Sequence, residues 1–396
     1  MSAEIRPHYR TVKSVLRKHR QVDPFFVGKY AFSPYQACAH GCPYCDGRAE
    51  KYWIEGEFDR DIVIRQNAAA VLEAEVKKLR ERGIVFIGSG VSDAYQPSEA
   101  QEQLMPACGR ILARHALPVT ILTKSSLITR DLDLWCEVNE KAGFVLMVSL
   151  MTLDDRLRAV FEPQASPVEE RLETLRAFKA RGCAVGVAAM PFLPFLSDGE
   201  AEQTVLATRL AEIGVDFVLP GGLTLRPGRQ KEAYFAALRS FAPELLPKYE
   251  RLYGEDRPSG APLRAPSAAR QRQAEAVFAR AGFPLVVPHR IYRDRLPLYD
   301  ELDVLLHQMQ MHYARTGDAL RRLEEARQRY HAWLLSRREA IQRMRRHTEQ
   351  CLTAELRALA ASDGWPRLLG NEKLAGFLRE VVLDRRIFDE QTRRLA

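Results

Sequence analysis

Three cysteines within eight residues, in the segment CAHGCPYC at positions 38–45, form the part of this chain best suited to chemistry. A structural zinc site has four protein ligands, and no second Cys-x2-Cys pair follows to complete such a set. A cubane [4Fe–4S] cluster normally takes four cysteine ligands. Three thiolates on one short loop would hold three irons and leave the fourth open to a substrate or cofactor. The spacing therefore predicts a catalytic cluster on Cys38, Cys42 and Cys45.

The sequence leaves two other interpretations of these cysteines open. His40 could join the three thiolates in a Cys3His zinc site, or the thiols could simply be structural. The chain has seven cysteines, and the other four are Cys108, Cys136, Cys183 and Cys351. Buried structural thiols are the default for such isolated residues. An odd number with three clustered does not look like a disulfide framework, so a reducing, cytoplasmic compartment is expected.

The elements that must position the cysteine loop alternate between strand and helix from residue 30 to about residue 245. Six apolar runs are predicted to be strands, at 30–37, 84–90, 118–124, 144–151, 184–190 and 215–225. Near-continuous apolar runs are typical of parallel strands buried on both faces. Such a sheet could be doubly wound or a barrel, and in either case function lies at the carboxyl ends of its strands. The loop follows the first strand and is predicted to lie on that edge.

The chain divides into four predicted segments. They are a basic N-terminal arm over 1–29, a β/α core over 30–255, a linker and capping segment over 256–311, and a helical extension over 312–396. The core includes a helix over 99–116 that Pro106 is expected to kink or split. The third segment is predicted to contain a short strand at 283–287. The extension is predicted to be helical throughout, because apolar residues recur at helical spacing; they are Leu320, Leu323, Ala326, Tyr330 and Leu334.

Positive charge is concentrated outside the middle of the chain, whose net charge is +8. Residues 1–30 carry seven Lys and Arg against two Asp and Glu, and residues 312–346 carry ten Arg against four. Such patches can bind polyanions such as nucleic acid, although solvated faces are a common alternative. The first twenty residues lack the apolar segment of a secretory signal. The longest apolar stretch, 184–196, is short and contains prolines, so no membrane span is expected.

The Cys-x3-Cys-x2-Cys spacing, with Tyr44 directly before the last cysteine, resembles the signature of radical S-adenosylmethionine (SAM) enzymes. Segments 88–99 (GSGVSDAYQPSE), 118–134, 148–163 and 190–198 resemble the spore photoproduct lyase-like family of these enzymes, also called DNA repair photolyase-like. The resemblance covers about residues 30 to 240. It implies an α/β fold with a partial (β/α)6 TIM-type barrel, here followed by the α-helical C-terminal extension. It also implies a [4Fe–4S] cluster and SAM as cofactors, with reductive cleavage of SAM to a 5′-deoxyadenosyl radical.

The resemblance also implies positions for SAM. Gly88, Ser89 and Gly90 would approach its methionyl amino group. Lys124 would pair with its carboxylate, Ser149 would bind its ribose or carboxylate, and Glu162 would accept hydrogen bonds from its ribose hydroxyls. For each, an ordinary structural role is the alternative. The family motif also contains Asp93, Tyr95, Gln96 and Glu99, whose individual roles the sequence leaves unassigned, and Arg226 could meet an anionic substrate.

One departure from the family limits the substrate. Spore photoproduct lyase itself uses an additional cysteine near the end of the second strand as hydrogen-atom donor, whereas here no cysteine lies between Cys45 and Cys108. Thymine-dimer repair by that route is therefore in question. The resemblance implies a lyase-type radical enzyme acting on nucleic acid, and a small molecule or peptide is another substrate class.

The alternative to an enzyme is an iron–sulfur nucleic-acid-binding or redox-sensing protein on a degenerate radical SAM scaffold. The implied partners are an electron donor such as flavodoxin or ferredoxin, and DNA or RNA. No membrane partner is expected.

Overall fold

The computed structural model describes residues 4–88, 91–316 and 320–396. The strands are β1 (Arg6–Arg10), β2 (Leu16–Lys18), β3 (Tyr30–Phe32), β4 (Tyr35–Gln36), β5 (Asp61–Arg65), β6 (Val85–Ile87), β7 (Val119–Thr123), β8 (Phe144–Ser149), β9 (Ala184–Phe192), β10 (Phe217–Gly222), β11 (Phe388–Asp389) and β12 (Arg394–Leu395). The helices of the first 250 or so residues are α1 (Ala68–Val76), α2 (Glu99–Glu102), α3 (Leu104–Arg114), α4 (Leu132–Lys141), α5 (Asp155–Phe161), α6 (Val168–Ala180), α7 (Glu200–Ile213), α8 (Arg229–Phe241) and α9 (Leu246–Tyr253). Those that follow are α10 (Arg264–Arg280), α11 (His289–Tyr292), α12 (Leu298–Thr316), α13 (Leu320–Arg343), α14 (Thr348–Ala360), α15 (Gly364–Leu369) and α16 (Glu372–Leu383).

The central sheet has seven strands in the order β10-β9-β8-β7-β6-β3-β2. From β3 to β10 the strands follow one another in chain order, with helices between them, and β7, β8, β9 and β10 pair in parallel. Every residue of β8 is buried, as expected for a parallel strand covered on both faces. Within the described part of the chain, β10 and β2 are the two edges of the sheet. The predicted partial (β/α)6 barrel is therefore confirmed.

The first predicted strand, 30–37, is interrupted. Pro34 lacks the N–H that a sheet needs, and the Ser33 hydroxyl bonds the backbone of Tyr35, donating to its carbonyl at 2.8 Å. The chain then enters a second, three-stranded sheet, in which β4 pairs antiparallel with β5 and β1 pairs parallel with β5. The cysteine loop thus follows β4, which lies outside the barrel sheet.

Of two other local predictions, one was correct only in part, since the helix over 99–116 is split but not at Pro106, and one was wrong. The helix expected over 99–116 breaks at Gln103, whose φ is 48°, and Pro106 lies in the first turn of α3, where its missing N–H costs little. The Glu99 carboxylate accepts from the first N–H groups of α3, those of Leu104 at 3.1 Å and Met105 at 3.0 Å. The strand expected at 283–287 does not form, and that segment makes a single backbone bond to β10, from Val218 N to the Pro284 carbonyl.

The described residues form two compact units. The first unit takes its residues from Met1–Arg17, Ala31–Val76 and Phe86–Leu285, and the second unit from Lys18–Tyr30, Lys77–Val85 and Val286–Ala396. The four consecutive segments predicted from the sequence stay a prediction, because a linear division cannot represent units built from separate stretches. No described helix combines the length and the apolar character needed to cross a bilayer.

The core of the second unit is built by helices α12 to α16. The predicted helical face is buried at Leu323, Ala326, Tyr330 and Leu334, while the side chain of Leu320 lies outside the described residues. The tail is not helical throughout, since β11 and β12 close it as a short antiparallel ribbon. Helix α12 also begins at Leu298, earlier than the predicted extension.

Candidate functional site

A cavity of about 540 Å³ lies at the carboxyl ends of β6, β7 and β8. Cys38, Cys42 and Cys45 all line it, and among the described residues no other cysteine does. Gly88 after β6, Lys124 after β7 and Ser149 at the end of β8 also line it. The structure therefore brings together the three cysteines and three of the predicted SAM residues. Ser89 and Gly90 lie outside the described residues.

The three thiols are held in the protonated form by their surroundings. Burial raises the pKa of Cys42 to about 12, and burial likewise raises the pKa values of Cys38 and Cys45. None of the seven cysteines forms a disulfide. A metal centre binds the thiolate, so loading would release these protons.

The donor set fits a cubane cluster better than a single ion. Across the described residues, no group of three or more His, Cys, Asp and Glu side chains is arranged to hold one metal ion. A cubane does not demand that convergence, because each cysteine binds a different iron. Three thiols around one cavity, two of them buried and that of Cys45 half-buried, therefore suit a [4Fe–4S] cluster with one iron free of protein ligands.

His40 is engaged elsewhere, which weakens the zinc interpretation. Its Nε2 lies 3.2 Å from Asp93 Oδ2, and its Nδ1 lies 3.0 Å from the carbonyl oxygen of Gln164. Both ring nitrogens therefore have protein partners, and neither is free to complete a Cys3His site.

Asp93 joins the cysteine loop to the sheet edge. Besides His40, its carboxylate accepts from Thr123 Oγ1 at 2.8 Å and from the N–H groups of Lys124 at 2.9 Å and Tyr95 at 2.8 Å. Burial alone would raise the pKa of Asp93, but these hydrogen bonds outweigh it and hold that pKa below its usual value. The carboxylate is thus ionised and fixed at the floor of the cavity.

Gln96 and Ser92 hold the loop by its backbone. Gln96 Oε1 accepts from Ala39 N at 2.8 Å, and its Nε2 donates to the Ala37 carbonyl at 3.3 Å. Ser92 Oγ donates to the same carbonyl at 2.9 Å. The motif residues whose roles the sequence left open therefore position the cysteines.

The side chains of Tyr95 and Glu99 connect this part of the site to neighbouring elements. The Tyr95 hydroxyl donates to Asp131 at 2.9 Å and accepts from Trp135 Nε1 at 2.6 Å. Glu99 accepts from the Tyr35 hydroxyl in β4 and pairs with Arg130 at 2.8 Å. Glu99 thus links β4, the strand before the cysteines, to α3, and Tyr95 links the segment that follows Asp93 to α4.

Arg48 is a site residue that the sequence interpretation missed. Its Nε donates to the Cys42 carbonyl and its Nη2 to the Gly41 carbonyl, both at 2.9 Å. Gly41 has a φ of +71°, which lets the loop turn there. Arg48 also pairs with Asp59 at 3.2 Å. An arginine three residues after the last cysteine has no distinguishing pattern, so only its contacts identify it.

Lys124 and Ser149 are placed as polar groups beside the thiols. Lys124 Nζ lies 5.8 Å from the centre of the Tyr44 ring. Burial lowers the pKa of Lys124, but electrostatic interactions with Cys42 and with the Glu162 carboxylate outweigh burial and leave the pKa raised. Ser149 Oγ donates to the Met190 carbonyl at 3.2 Å. The cavity therefore contains a firmly held positive charge next to the cysteine loop.

The backbone conformation at position 88 requires glycine. Its φ is +110°, and a Cβ atom there would lie 2.2 Å from the Leu122 carbonyl oxygen. Only glycine fits so close an approach of two strands. This explains the residue structurally, and its predicted contact with SAM stays a prediction.

Glu162 is fully buried and already has partners. It accepts from the Tyr44 hydroxyl and pairs with Arg171 Nη2 at 2.6 Å. Burial would raise its pKa, but Arg171 and Lys124 outweigh that effect and lower it. Its predicted role at the SAM ribose stays a prediction. Arg226 pairs with Asp46 at 2.5 Å, which ties it to the residue after Cys45.

The model of the radical SAM superfamily matches residues 32–207. The chain is 30% identical over 283 residues to the uncharacterized protein Rv2578c of Mycobacterium tuberculosis, over 70% of this chain and 79% of that protein. It is 34% identical over 200 residues to the uncharacterized protein ORF301 of Acidianus two-tailed virus, over 46% and 62% of the two chains.

Two kinds of solved structure are also similar. A spore photoproduct lyase variant with bound AdoMet and dinucleoside spore photoproduct gives a TM-score of 0.46 at 16% identity, over 67% of this chain and 77% of that one. SuiB of Streptococcus suis bound to S-adenosylmethionine gives 0.38 at 16% identity, over 56% and 48%.

Proposed function

Because the chain belongs to the radical SAM superfamily, we propose that it holds a [4Fe–4S] cluster on Cys38, Cys42 and Cys45 and cleaves SAM. The observation that carries this proposal is that the three cysteines, Cys38 and Cys42 buried and Cys45 half-buried, line one cavity beside Lys124 and Ser149. When bound, the cluster supplies one electron for reductive cleavage of SAM, which yields the 5′-deoxyadenosyl radical.

The protein's own contribution begins with a rigid loop. Asp93, Gln96 and Arg48 bond the backbone or side chains of residues 37–42, so the backbone that carries the first two cysteines is held in place. Because the loop is ordered before it binds the cluster, less conformational entropy is lost on binding, which favours tight binding. Burial of Cys38 and Cys42 would also limit the access of water to the site, which protects reactive species.

SAM would lie beside the loop. The Lys124 ammonium is the cation that would pair with its carboxylate. The Ser149 hydroxyl would offer a hydrogen bond, and the glycine backbone at Gly88 would admit the amino group closely. Glu162 would then act at the ribose, or through Tyr44 and Arg171 by holding the wall of the cavity. Ser89 and Gly90 would also contact the amino group, as the family resemblance implies.

The substrate class we propose is nucleic acid, with lyase-type chemistry. Support comes from the four segments that resemble the spore photoproduct lyase-like family and from the basic character of the chain. The hydrogen-atom donor differs from that of spore photoproduct lyase, because no cysteine lies between Cys45 and Cys108. A flavodoxin or ferredoxin in the cytoplasm would supply electrons.

The test is product formation from SAM. Anaerobically reconstituted, dithionite-reduced protein should convert SAM to 5′-deoxyadenosine, measured by liquid chromatography and mass spectrometry. Cys42→Ala should abolish both the brown colour and the product. Cys351→Ala changes a thiol packed in the helical core of the second unit and should retain both.

Two outcomes would reject the proposal. A colourless anaerobic preparation that binds one zinc would restore the zinc interpretation. A stable cluster that binds nucleic acid but never forms 5′-deoxyadenosine would favour the non-enzymatic alternative.

A further inference from the structure

The positive charge of the chain belongs to one of its two compact units. The ranges of the second unit contain 28 Lys and Arg against 18 Asp and Glu, a net charge of +10. The remaining 31 Lys and Arg and 33 Asp and Glu give the first unit −2. The two values add to the +8 of the whole chain. The unit without the cysteine loop thus carries all of the basic excess.

Within the second unit, segment 77–82 presents cations outward. Lys77, Lys78, Arg80 and Arg82 are exposed, whereas Glu81 is buried. The Glu81 carboxylate pairs with Lys29 at 2.7 Å and with Lys18 at 2.5 Å. The one acidic residue of this segment is therefore turned inward and neutralised, and it does not offset its neighbours at the surface.

A hydrogen bond connects this segment to a second region that exposes arginines. The turn between α13 and α14 exposes Arg345 and Arg346. The backbone N–H of Arg82 donates to Glu349 Oε2 at 2.7 Å, which joins segment 77–82 to the start of α14. We call Lys77, Lys78, Arg80, Arg82, Arg345 and Arg346 the basic surface; Glu349 contributes one negative charge to it.

Most cations of the basic surface differ in their pairing from two exposed arginines of the first unit. In the described part of the chain, Lys78, Arg80, Arg345 and Arg346 make no ion pair with a carboxylate. Two exposed arginines of the first unit, Arg156 and Arg181, do pair, with Asp154 at 3.2 Å and with Asp133 at 2.8 Å. Unpaired cations can bind phosphate without first giving up a partner.

We propose that the basic surface binds the phosphate backbone of a nucleic acid. Four of its six cations are arginines, whose planar fork matches phosphate oxygens. A membrane is the less suitable partner, because the large exposed apolar side chains described in the second unit are Met344 and Leu383, too few for an inserted face. This proposal deepens the proposed function by adding a binding surface for its substrate class, and rests on it only for the use of the bound polymer as substrate.

The test measures binding and catalysis separately. The full-length, reconstituted protein is titrated into a fluorescein-labelled 20-nucleotide single strand and the matching duplex, and anisotropy is followed from 50 to 200 mM salt. Arg345→Gln/Arg346→Gln and Lys78→Gln/Arg80→Gln should each weaken binding at least about tenfold near 100 mM salt. Each should lower the slope of log K against log salt by roughly 1.5, since two phosphate contacts are lost.

Matched controls keep the result specific. Arg156→Gln/Arg181→Gln removes the same charge from the first unit and should leave the affinity unchanged. Circular dichroism and the melting temperature check that each variant folds. SAM cleavage without nucleic acid should equal that of the unaltered protein in all three variants, so absence of 5′-deoxyadenosine from the unaltered protein would reject the proposed function without touching the binding result.

Equal affinities for the basic-surface variants and the control would overturn the proposal. So would variants that lose binding to phosphatidylserine vesicles while retaining binding to both oligonucleotides, since that result would assign the surface to a membrane.

Discussion

Gln96 offers the sharpest test of how the cysteine loop is held. Gln96→Met keeps nearly the same volume in this fully buried position but removes the three side-chain hydrogen bonds, to Ala39 N, the Ala37 carbonyl and Ser92 Oγ. The Ala39 N–H then lacks its acceptor, and an unsatisfied buried group costs about 1–3 kcal/mol. The Ala37 carbonyl loses less, because Ser92 Oγ still donates to it. The expected loss is therefore about 2 kcal/mol.

Because Ala39 lies between the first two cysteines, that loss should appear in the cluster. Each 1.4 kcal/mol corresponds to a factor of ten, so iron release to a chelator under anaerobic conditions should become about ten- to thirtyfold faster. The unfolding free energy in urea should fall by about 2 kcal/mol. Gln101→Met, on the exposed face of α2, is the control and should change neither quantity. Unchanged iron release in Gln96→Met would refute the role assigned to this side chain.

Three further predictions concern backbone fit and buried charge. Gly88→Ala forces a Cβ against the Leu122 carbonyl at positive φ and should lower the urea midpoint by the equivalent of about 3 kcal/mol; a shift under 0.5 kcal/mol would contradict the geometry. Glu162→Gln leaves Arg171 buried without its carboxylate and should destabilise by about 3–5 kcal/mol. The pKa of Glu162 is lowered in the folded protein, so its stabilisation is present at neutral pH and lost as pH falls below about 4.5, and the pH dependence of the melting temperature should weaken in the variant. Burial raises the pKa of Glu390 to about 7, so the folded protein retains that proton while the unfolded chain loses it, and stability falls as pH rises from about 4.5 to 7. Glu390→Gln should remove this loss and stabilise the protein by up to about 3 kcal/mol at pH 8 relative to pH 5; urea titrations with the same pH profile for both proteins would disprove it.

The barrel could be predicted from the sequence because strands that are buried on both faces consist almost entirely of apolar residues. The run FVLMVS of β8 is apolar along nearly its whole length, and such runs identify a parallel sheet without further information. The position of the cysteine loop after a predicted strand likewise placed it near the carboxyl edge of the sheet, and its thiols line the cavity there, although β4, which precedes the loop, lies outside the barrel sheet.

Contacts between residues that are distant in the chain could not be predicted from the sequence. Gln96 bonds Ala39, which lies 57 positions earlier in the chain. The family motif includes Gln96, but the sequence does not show that its side chain holds the cysteine loop. The break at Gln103 depends on the Glu99 side chain turning toward the next helix, which a periodic pattern with Pro106 in it does not reveal. The second unit gathers three separate stretches of chain, so its charge could not be summed from consecutive residues.

The electron paramagnetic resonance spectrum of the reduced, reconstituted protein, recorded with and without SAM, tests the central claim most directly. The account predicts a cluster signal whose g values shift when SAM binds, and that is missing in Cys42→Ala. It would be contradicted by a cluster signal that saturating SAM leaves unchanged, because the iron left without a protein ligand would then not be the site of SAM binding.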